Sequence, residues 1–193
     1  MTKKCSMIDI ETIGERPTAA ILSIAVVIFD LDNPEQEFLD EFVVYLDVKD
    51  QINRLNRSTS DSTIKWWKEQ DKEIRDLQFS GKVKLEDGMN QLFEFLDKHA
   101  CEWHWAKGTH FDMSILREAA QDSGLQDNKF FKEFWSYMCC ATVGRLVADE
   151  LNDKWFINNL TRHYNKLFGG SHDPLVDCYI QIEILKDCLI RED

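Results

Sequence analysis

The chain opens with three short apolar stretches separated by turn residues, and only afterwards takes on a helical period. Residues 5–11, 19–29 (AAILSIAVVIF) and 37–46 (EFLDEFVVYL) read as strands. The turn signals Gly14-Glu15-Arg16-Pro17 and Asp32-Asn33-Pro34 accompany the second and third, and such close spacing predicts an antiparallel meander. Asp61 or Ser62 is then placed to cap a helix running through Gln70. Leu85, Met89, Leu92, Phe93 and Leu96 recur at helical spacing, which predicts an amphipathic helix over 85–99. Trp103 and Trp105 alternate with His104 and Ala106 ahead of Gly108, a fourth strand. Residues 112–122 put Ile115, Leu116, Ala119 and Ala120 on one helical face, residues 130–137 form a candidate fifth strand, and helices follow over 141–151 and 174–189. This order predicts an α/β fold, a mixed sheet of about five strands with the first three antiparallel, flanked by helices. No repeat, low-complexity stretch or Pro-rich linker interrupts it, so a single domain over 1–193 is expected.

Composition narrows the partners. With 35 acidic and 23 basic residues the net charge is −12, which argues against general electrostatic adhesion to nucleic acid or to an anionic membrane. It is compatible with a nucleic-acid enzyme whose acids surround metal ions, because bound cations invert the local field. No apolar run nears the roughly 20 residues of a membrane span. Asp9 and Glu11 break the first apolar run where a signal peptide would continue it, so the six cysteines read as reduced thiols of a cytoplasmic protein. There is no CxxC pair, and Cys101 with His104 lacks a second pair at zinc-ligand spacing.

Three local arrangements carry chemistry. In Asp9-Ile10-Glu11-Thr12, strand geometry sends both carboxylates to one face. Like charges converging on a buried face require hard cations, and Mg²⁺ or Mn²⁺ suits oxygen ligands. The same spacing occurs at Asp30/Asp32, Glu35/Glu37 and Asp71/Glu73, where a solvated strand end or loop is the plain reading. Asp112 follows Lys107-Gly108-Thr109-His110-Phe111 at a strand-to-helix junction, a place where Asp is also an ordinary N-cap. In His172-Asp173-Pro174-Leu175-Val176-Asp177, Asp173 and Pro174 read as N-cap and first residue of the last helix. That puts His172 just outside the helix and Asp177 in or just beyond its first turn, so the imidazole can hang over the carboxylate.

Taken in this order, a strand D-x-E-T, an F-D opening a mid-chain helix and an H-x4-D opening the last helix, the chain resembles the DnaQ-like 3′-to-5′ exonucleases of the DEDDh group, whose core is ribonuclease-H-like. Within that group Ser62-Thr63-Ile64-Lys65-Trp66-Trp67-Lys68-Glu69-Gln70 is similar to a helix of the subfamily of phage exodeoxyribonuclease A and the mycobacterial 3′-to-5′ exoribonuclease. The resemblance covers nearly the whole chain. It implies that Asp9, Glu11, Asp112 and Asp177 organise two divalent cations, Mg²⁺ or Mn²⁺, around a scissile phosphate, with His172 as general base. It also implies that backbone groups around Thr12 hold the terminal 3′ hydroxyl and that Ile13 wedges against the terminal base. The substrate would be the 3′ end of single-stranded DNA or RNA, shortened by one nucleoside 5′-monophosphate at a time. An imidazole with a pKa near about 6.5 suits the proton transfer. The chain departs from the subfamily at Cys139-Cys140-Ala141-Thr142, where an acid and an arginine usually precede the threonine; the vicinal thiols read most simply as buried.

Trp66 and Trp67 point about 100° apart on a helix, so one must reach the edge of the core. Trp66 is the candidate to stack on a nucleobase, and packing beside Ile64 is the plainer role for Trp67. Arg54, Arg57, Lys65 and Lys68 either neutralise phosphates or form a solvated face. Rival readings are a nuclease restricted to short RNA, a non-catalytic nucleic-acid-binding module and a purely structural cation site. No heptad or exposed apolar stripe specifies a homodimer, although the resembled group often dimerises, and no motif decides between ribose and deoxyribose.

Overall fold

The computed structural model describes residues 3–33, 35–36, 38–170 and 172–189. Strands β1 (Lys4–Thr12), β2 (Ile21–Asp30), β3 (Asp40–Tyr45), β4 (Trp103–Ala106) and β5 (Tyr137–Cys139) form one mixed sheet in the order β3-β2-β1-β4-β5. β1, β2 and β3 run antiparallel, as short connections between neighbours require. β4 and β5, each reached through helices, lie parallel to β1 and to one another. β2 is buried along its whole length, which explains its nearly continuous apolar sequence: both of its faces are covered. Glu37, where the sequence pattern starts the third strand, lies outside the described residues.

The helices are α1 (Val48–Leu55), α2 (Asp61–Glu69), α3 (Lys72–Gln78), α4 (Leu85–His99), α5 (Thr109–Asp122), α6 (Lys129–Lys132), α7 (Cys140–Glu150), α8 (Phe156–Phe168) and α9 (Pro174–Leu189). One face of the sheet, with Ile8, Ile10, Ile24 and Val26, packs on Met89, Leu92 and Phe93 of α4 and on Ile115 and Leu116 of α5. The other face, with Cys5, Met7, Ala25 and Val27, packs on Cys178, Ile182 and Leu185 of α9. A smaller cluster of Ile13, Ala20, Leu22 and Trp67 closes one end of the sheet beneath α1, α2 and α3. Gly81 is required by close approach, since a β-carbon there would collide with the Leu46 backbone. Among the described residues no helix is long and apolar enough to cross a membrane.

Several elements differ from the sequence pattern. The fifth strand is not 130–137 but the three residues Tyr137–Cys139, preceded by the single turn of α6 and a 3₁₀ turn over Phe134–Ser136. Phe130 and Phe131 both enter the same core beside Phe93, whereas consecutive strand residues would face opposite sides. The cap of α2 is Ser60, earlier than Asp61 or Ser62, with its hydroxyl oxygen accepting the Thr63 N–H at 3.4 Å. α1, α3 and α8 have no counterpart in the sequence pattern. α1 and α3 are too short to show a long period, whereas α8 carries one at Phe156, Ile157, Leu160, Tyr164 and Phe168, half-buried along one face, that the pattern above passes over.

Candidate active site

Along β1 the residues facing α9 are Cys5 and Met7, and Asp9 and Glu11 continue that row to the end of the strand. α9 begins beside them. Asp173 Oδ1 accepts the N–H groups of Leu175 at 3.0 Å and Val176 at 3.4 Å, the geometry of an N-cap. Asp177 follows in the first turn, and its Oδ2 accepts the His172 backbone N–H at 2.8 Å. One turn on, Gln181 Nε2 donates to Asp9 Oδ1 at 2.7 Å. From the opposite side of the sheet Asp112 enters on the first turn of α5, after Gly108 at positive φ (87°) has turned the chain into the helix. Asp112 is thus inside the helix and not its cap. It is 4% exposed, and its Oδ2 has no hydrogen-bond partner.

His172 Nδ1 lies 4.0 Å from Glu11 Oε1, and the ligand atoms of Glu11, His172 and Asp177 all lie within 4.8 Å of one another. Asp9 and Asp112 stand outside this tight group, yet electrostatics join them to it. Burial raises Asp9 well above the carboxylate range, and the charges of Asp112 and Asp177 raise it further. Burial, followed by the charges of Asp9, Asp177 and Asp112, pushes Glu11 up to about 10. Burial likewise takes Asp112 to about 7, against hydrogen bonds from its own N–H and that of Ile10. Asp177 is also raised by burial, with the His172 N–H and charge acting in the opposite sense. Lys107 lowers Asp9 and Asp177 only weakly. Four carboxylates raised by burial, two of them further by the charges of the others, with one buried oxygen unpartnered, form a donor set of the kind that hard divalent cations neutralise.

The sequence candidates around this cluster divide. Trp67 is 1% exposed and its indole N–H donates to the Thr12 carbonyl at 2.9 Å, while Trp66 is 37% exposed and meets the His172 ring edge-on at 4.7 Å. Thr12 Oγ1 donates to the Gly14 carbonyl at 2.7 Å, so both its hydroxyl and its carbonyl have partners inside the fold. Ile13 is 2% exposed and packs on Ala20, Leu22 and Trp67; in this conformation its side chain supports Trp67 and does not face an open cleft. Arg54 and Arg57 are not available to phosphates: Arg54 pairs with Asp50 and Glu86, and the buried Arg57 with Asp122 and the Ala19 carbonyl. Lys65 and Lys68 are exposed on α2. Cys140 is a buried thiol pushed up to about 12. Cys139 differs: burial opposes ionisation, but hydrogen bonds from Thr142 and from the N–H groups of Thr109, Thr142 and Gly108 bring it down to about 6.

Other residues enter that the sequence reading passed over. Gln181 stands four positions after Asp177 on the same helical face, a spacing that marks it as a neighbour of the site. A cavity of about 710 Å³ runs from Asp9 and Asp177 between α7, α8 and α9, and Lys107, Arg145, Lys154, Asn158, Thr161 and Asn165 line it. No sequence motif foreshadows it, because α8 is absent from the pattern.

Comparisons with known proteins agree with this geometry. The model of the family described as the 3′-5′ exoribonuclease Rv2179c-like domain matches residues 4–189. An exodeoxyribonuclease of Enterobacteria phage T4 is 32% identical over 152 residues, 67% of this chain and 66% of that protein. Cell-death related nuclease 4 superposes with a TM-score of 0.69 at 16% identity, over 96% of this chain and 63% of its own. The zinc-bound complex of E. coli exonuclease I with single-stranded DNA gives 0.66 at 12% identity, over 96% and 40%. A 3′-exonuclease solved with a histone mRNA stem-loop gives 0.63 at 17% identity, over 97% and 82%. The chain thus spans just under two thirds of the phage relative and of cell-death related nuclease 4, and the structural likeness shows the ribonuclease-H-like fold of DnaQ-type exonucleases.

Proposed function

The chain belongs to the 3′-5′ exoribonuclease Rv2179c-like domain family, and from that membership we propose that it is a single-domain, metal-dependent exonuclease acting on the 3′ end of single-stranded nucleic acid. The observation that carries this reading is the convergence of Asp9, Glu11, Asp112 and Asp177, each raised by burial, with neighbouring charges raising Asp9 and Glu11 further. Without cations the cluster works against stability. A structural cation site would explain the acids but not the imidazole poised at their edge.

In this reading the four carboxylates hold two divalent cations, Mg²⁺ or Mn²⁺, which when bound supply Lewis acidity at the scissile phosphate. His172 takes the proton of the attacking water, the water oxygen adds to phosphorus, and the bond to the upstream 3′ oxygen breaks. A nucleoside 5′-monophosphate leaves, the 3′ oxygen of the shortened strand takes a proton from solvent to become a hydroxyl, and His172 returns its proton to solvent. Asp177 has a second task, since by accepting the His172 N–H it fixes the loop that carries the base. Trp66 offers an aromatic face to the terminal nucleobase. Backbone groups of the β1–β2 turn at Thr12 and Ile13 border the same end of the site. Lys107, Arg145 and Lys154 line the cleft together with Asp9, Asp149 and Asp177, and in this reading the three cations meet phosphates upstream once divalent cations offset the acids.

The family description names an exoribonuclease and the phage relative an exodeoxyribonuclease. The decisive experiment is therefore a time course on 5′-labelled single-stranded DNA and RNA of equal sequence and of several lengths, with Mn²⁺, Mg²⁺ or EDTA. The expected result is a shortening ladder that EDTA abolishes, and the faster substrate defines the sugar preference. An unchanged label under every metal, with folded protein, would sink the reading.

A further inference from the structure

Of the four carboxylates and the histidine, only His172 lies outside a regular element. It lies just ahead of α9, and its φ of 73° is in the left-handed region that residues with a side chain seldom occupy. Its ring makes no hydrogen bond to Glu11, because 4.0 Å is too long for one. The main chain is held instead. Its N–H donates to Asp177 Oδ2 at 2.8 Å, and its carbonyl accepts from Gln78 Nε2 at 3.2 Å.

Gln78 ends α3 and is fully buried. Its Oε1 accepts from Ser23 Oγ at 2.6 Å, and Ser23 is itself fully buried on β2, directly across from Glu11 in the β1–β2 register. The amide has one workable orientation here. A backbone carbonyl only accepts, so the NH₂ group must face His172, and the remaining oxygen then meets a hydroxyl able to donate. The path closes on itself: Glu11, its cross-strand partner Ser23, Gln78, the His172 carbonyl, and the imidazole back at Glu11. The sheet position that sets Glu11 thereby also sets the height of the imidazole above it.

We propose that Gln78, oriented by Ser23, is a positioning residue that clamps the His172 main chain in its left-handed conformation and so aims the imidazole at the carboxylate site. The inference rests on the reading of His172 as general base. Gln78 touches neither cation nor substrate in this scheme, and Ser23 acts only through it.

The test compares Gln78→Met, Ser23→Ala and Gln78→Met/Ser23→Ala, each alone and combined with His172→Ala, on a 5′-labelled single-stranded oligonucleotide. The expected result for Gln78→Met is a fall in kcat of about 10–100-fold, the usual cost of losing a group that orients an active-site residue, with KM nearly unchanged. Gln78→Met also strands the buried Ser23 hydroxyl and lowers Tm, whereas the double variant removes both polar partners and recovers Tm. A clamp keeps kcat low in that double variant despite the recovered stability; a merely structural role would let kcat return with Tm. Added to His172→Ala, Gln78→Met should cost nothing further, since its effect runs through the imidazole. The His172 ring ε-proton resonance, identified by its loss in His172→Ala, should be sharp in the parent protein and shifted or broadened in Gln78→Met.

Wild-type kcat in the double variant, a full multiplicative loss on top of His172→Ala, or an unmoved His172 resonance would each overturn the clamp. Wild-type turnover in His172→Ala would instead remove the general-base reading, and the resonance would still report whether Gln78 holds the loop.

Discussion

On the side of the molecule built by α1 and α4, acids and bases neutralise one another. Arg54 bridges Asp50 and Glu86 at 2.6 and 2.7 Å, and Arg57 meets Asp122 at 2.6 Å while donating to the Ala19 carbonyl. At the end of β1 the opposite holds: Asp9, Glu11, Asp112 and Asp177 share one site with Lys107 as a weak counterweight. A chain with 35 acidic and 23 basic residues cannot pair every acid, and the fold pairs arginine directly with the acids of the first site, while Lys107, Arg145 and Lys154 only line the cleft beside the second. The contrast separates acids that are paired within the fold from acids gathered without a direct cationic partner, which the proposed function assigns to a ligand of opposite charge.

The sharpest way to break that contrast is to neutralise one acid of the cluster. Asp112→Asn should cost turnover at least as much as His172→Ala, for which loss of a general base predicts about 10²–10⁴-fold in kcat. In EDTA at pH 8, however, Asp112→Asn should raise Tm, because a neutral amide avoids the cost of burying the Asp112 carboxylate, which is ionised above about 7. A lower Tm for this variant would mean that the cluster is not under charge strain.

Next in size is the response to pH and metal. Glu11 at about 10 and Asp112 at about 7 lie above their unfolded values. Between those unfolded values and the folded ones, the folded metal-free chain therefore binds protons that the unfolded chain does not. Stability then falls as pH rises from about 5 towards 9. Mg²⁺ should reverse the fall, with a gain in Tm on the order of 5 °C that grows with pH. Calorimetry at pH 5.5 and 8.5, with and without Mg²⁺, reads it directly, and equal gains at both pH values would contradict the assigned shifts.

The paired region supplies the smaller effects. Arg57→Ala should destabilise by about 2–4 kcal/mol, since it removes a buried donor and leaves the Ala19 carbonyl without it, while kcat below the melting transition stays unchanged. Arg54→Ala, in an exposed pair, should move Tm by only about a degree. A large kcat loss in either would show that the two regions are coupled.

Much of this was legible in the sequence. The carboxylates of Asp9 and Glu11 sit on a strand whose period of two is local, and the start of the last helix at Asp173 is set by nearby backbone needs, while α5 starts at Thr109, three residues before Asp112. The trio of antiparallel strands follows from turns within the same stretch of chain. What the pattern missed has a common cause. Phe130 and Phe131 turn into a helix because both are drawn into one core, and α8 forms against α9 without burying any residue fully. Trp66 and Trp67 could be separated by direction, but which one meets His172 depends on where α9 begins.

The sequence by itself determined the three antiparallel strands, the fourth strand, the helices over 85–99 and 174–189 and the family, and it singled out the four acids and the histidine as candidates, because each of those depends on residue type and short-range spacing. Only the tertiary structure decided that Gln181 holds Asp9, that Gln78 and Ser23 hold His172, and that the cationic side chains of α7 and the following loop face the same cleft. These contacts join residues up to 172 positions apart in the chain. Their geometry is set by sheet register and helix packing, which no local pattern encodes.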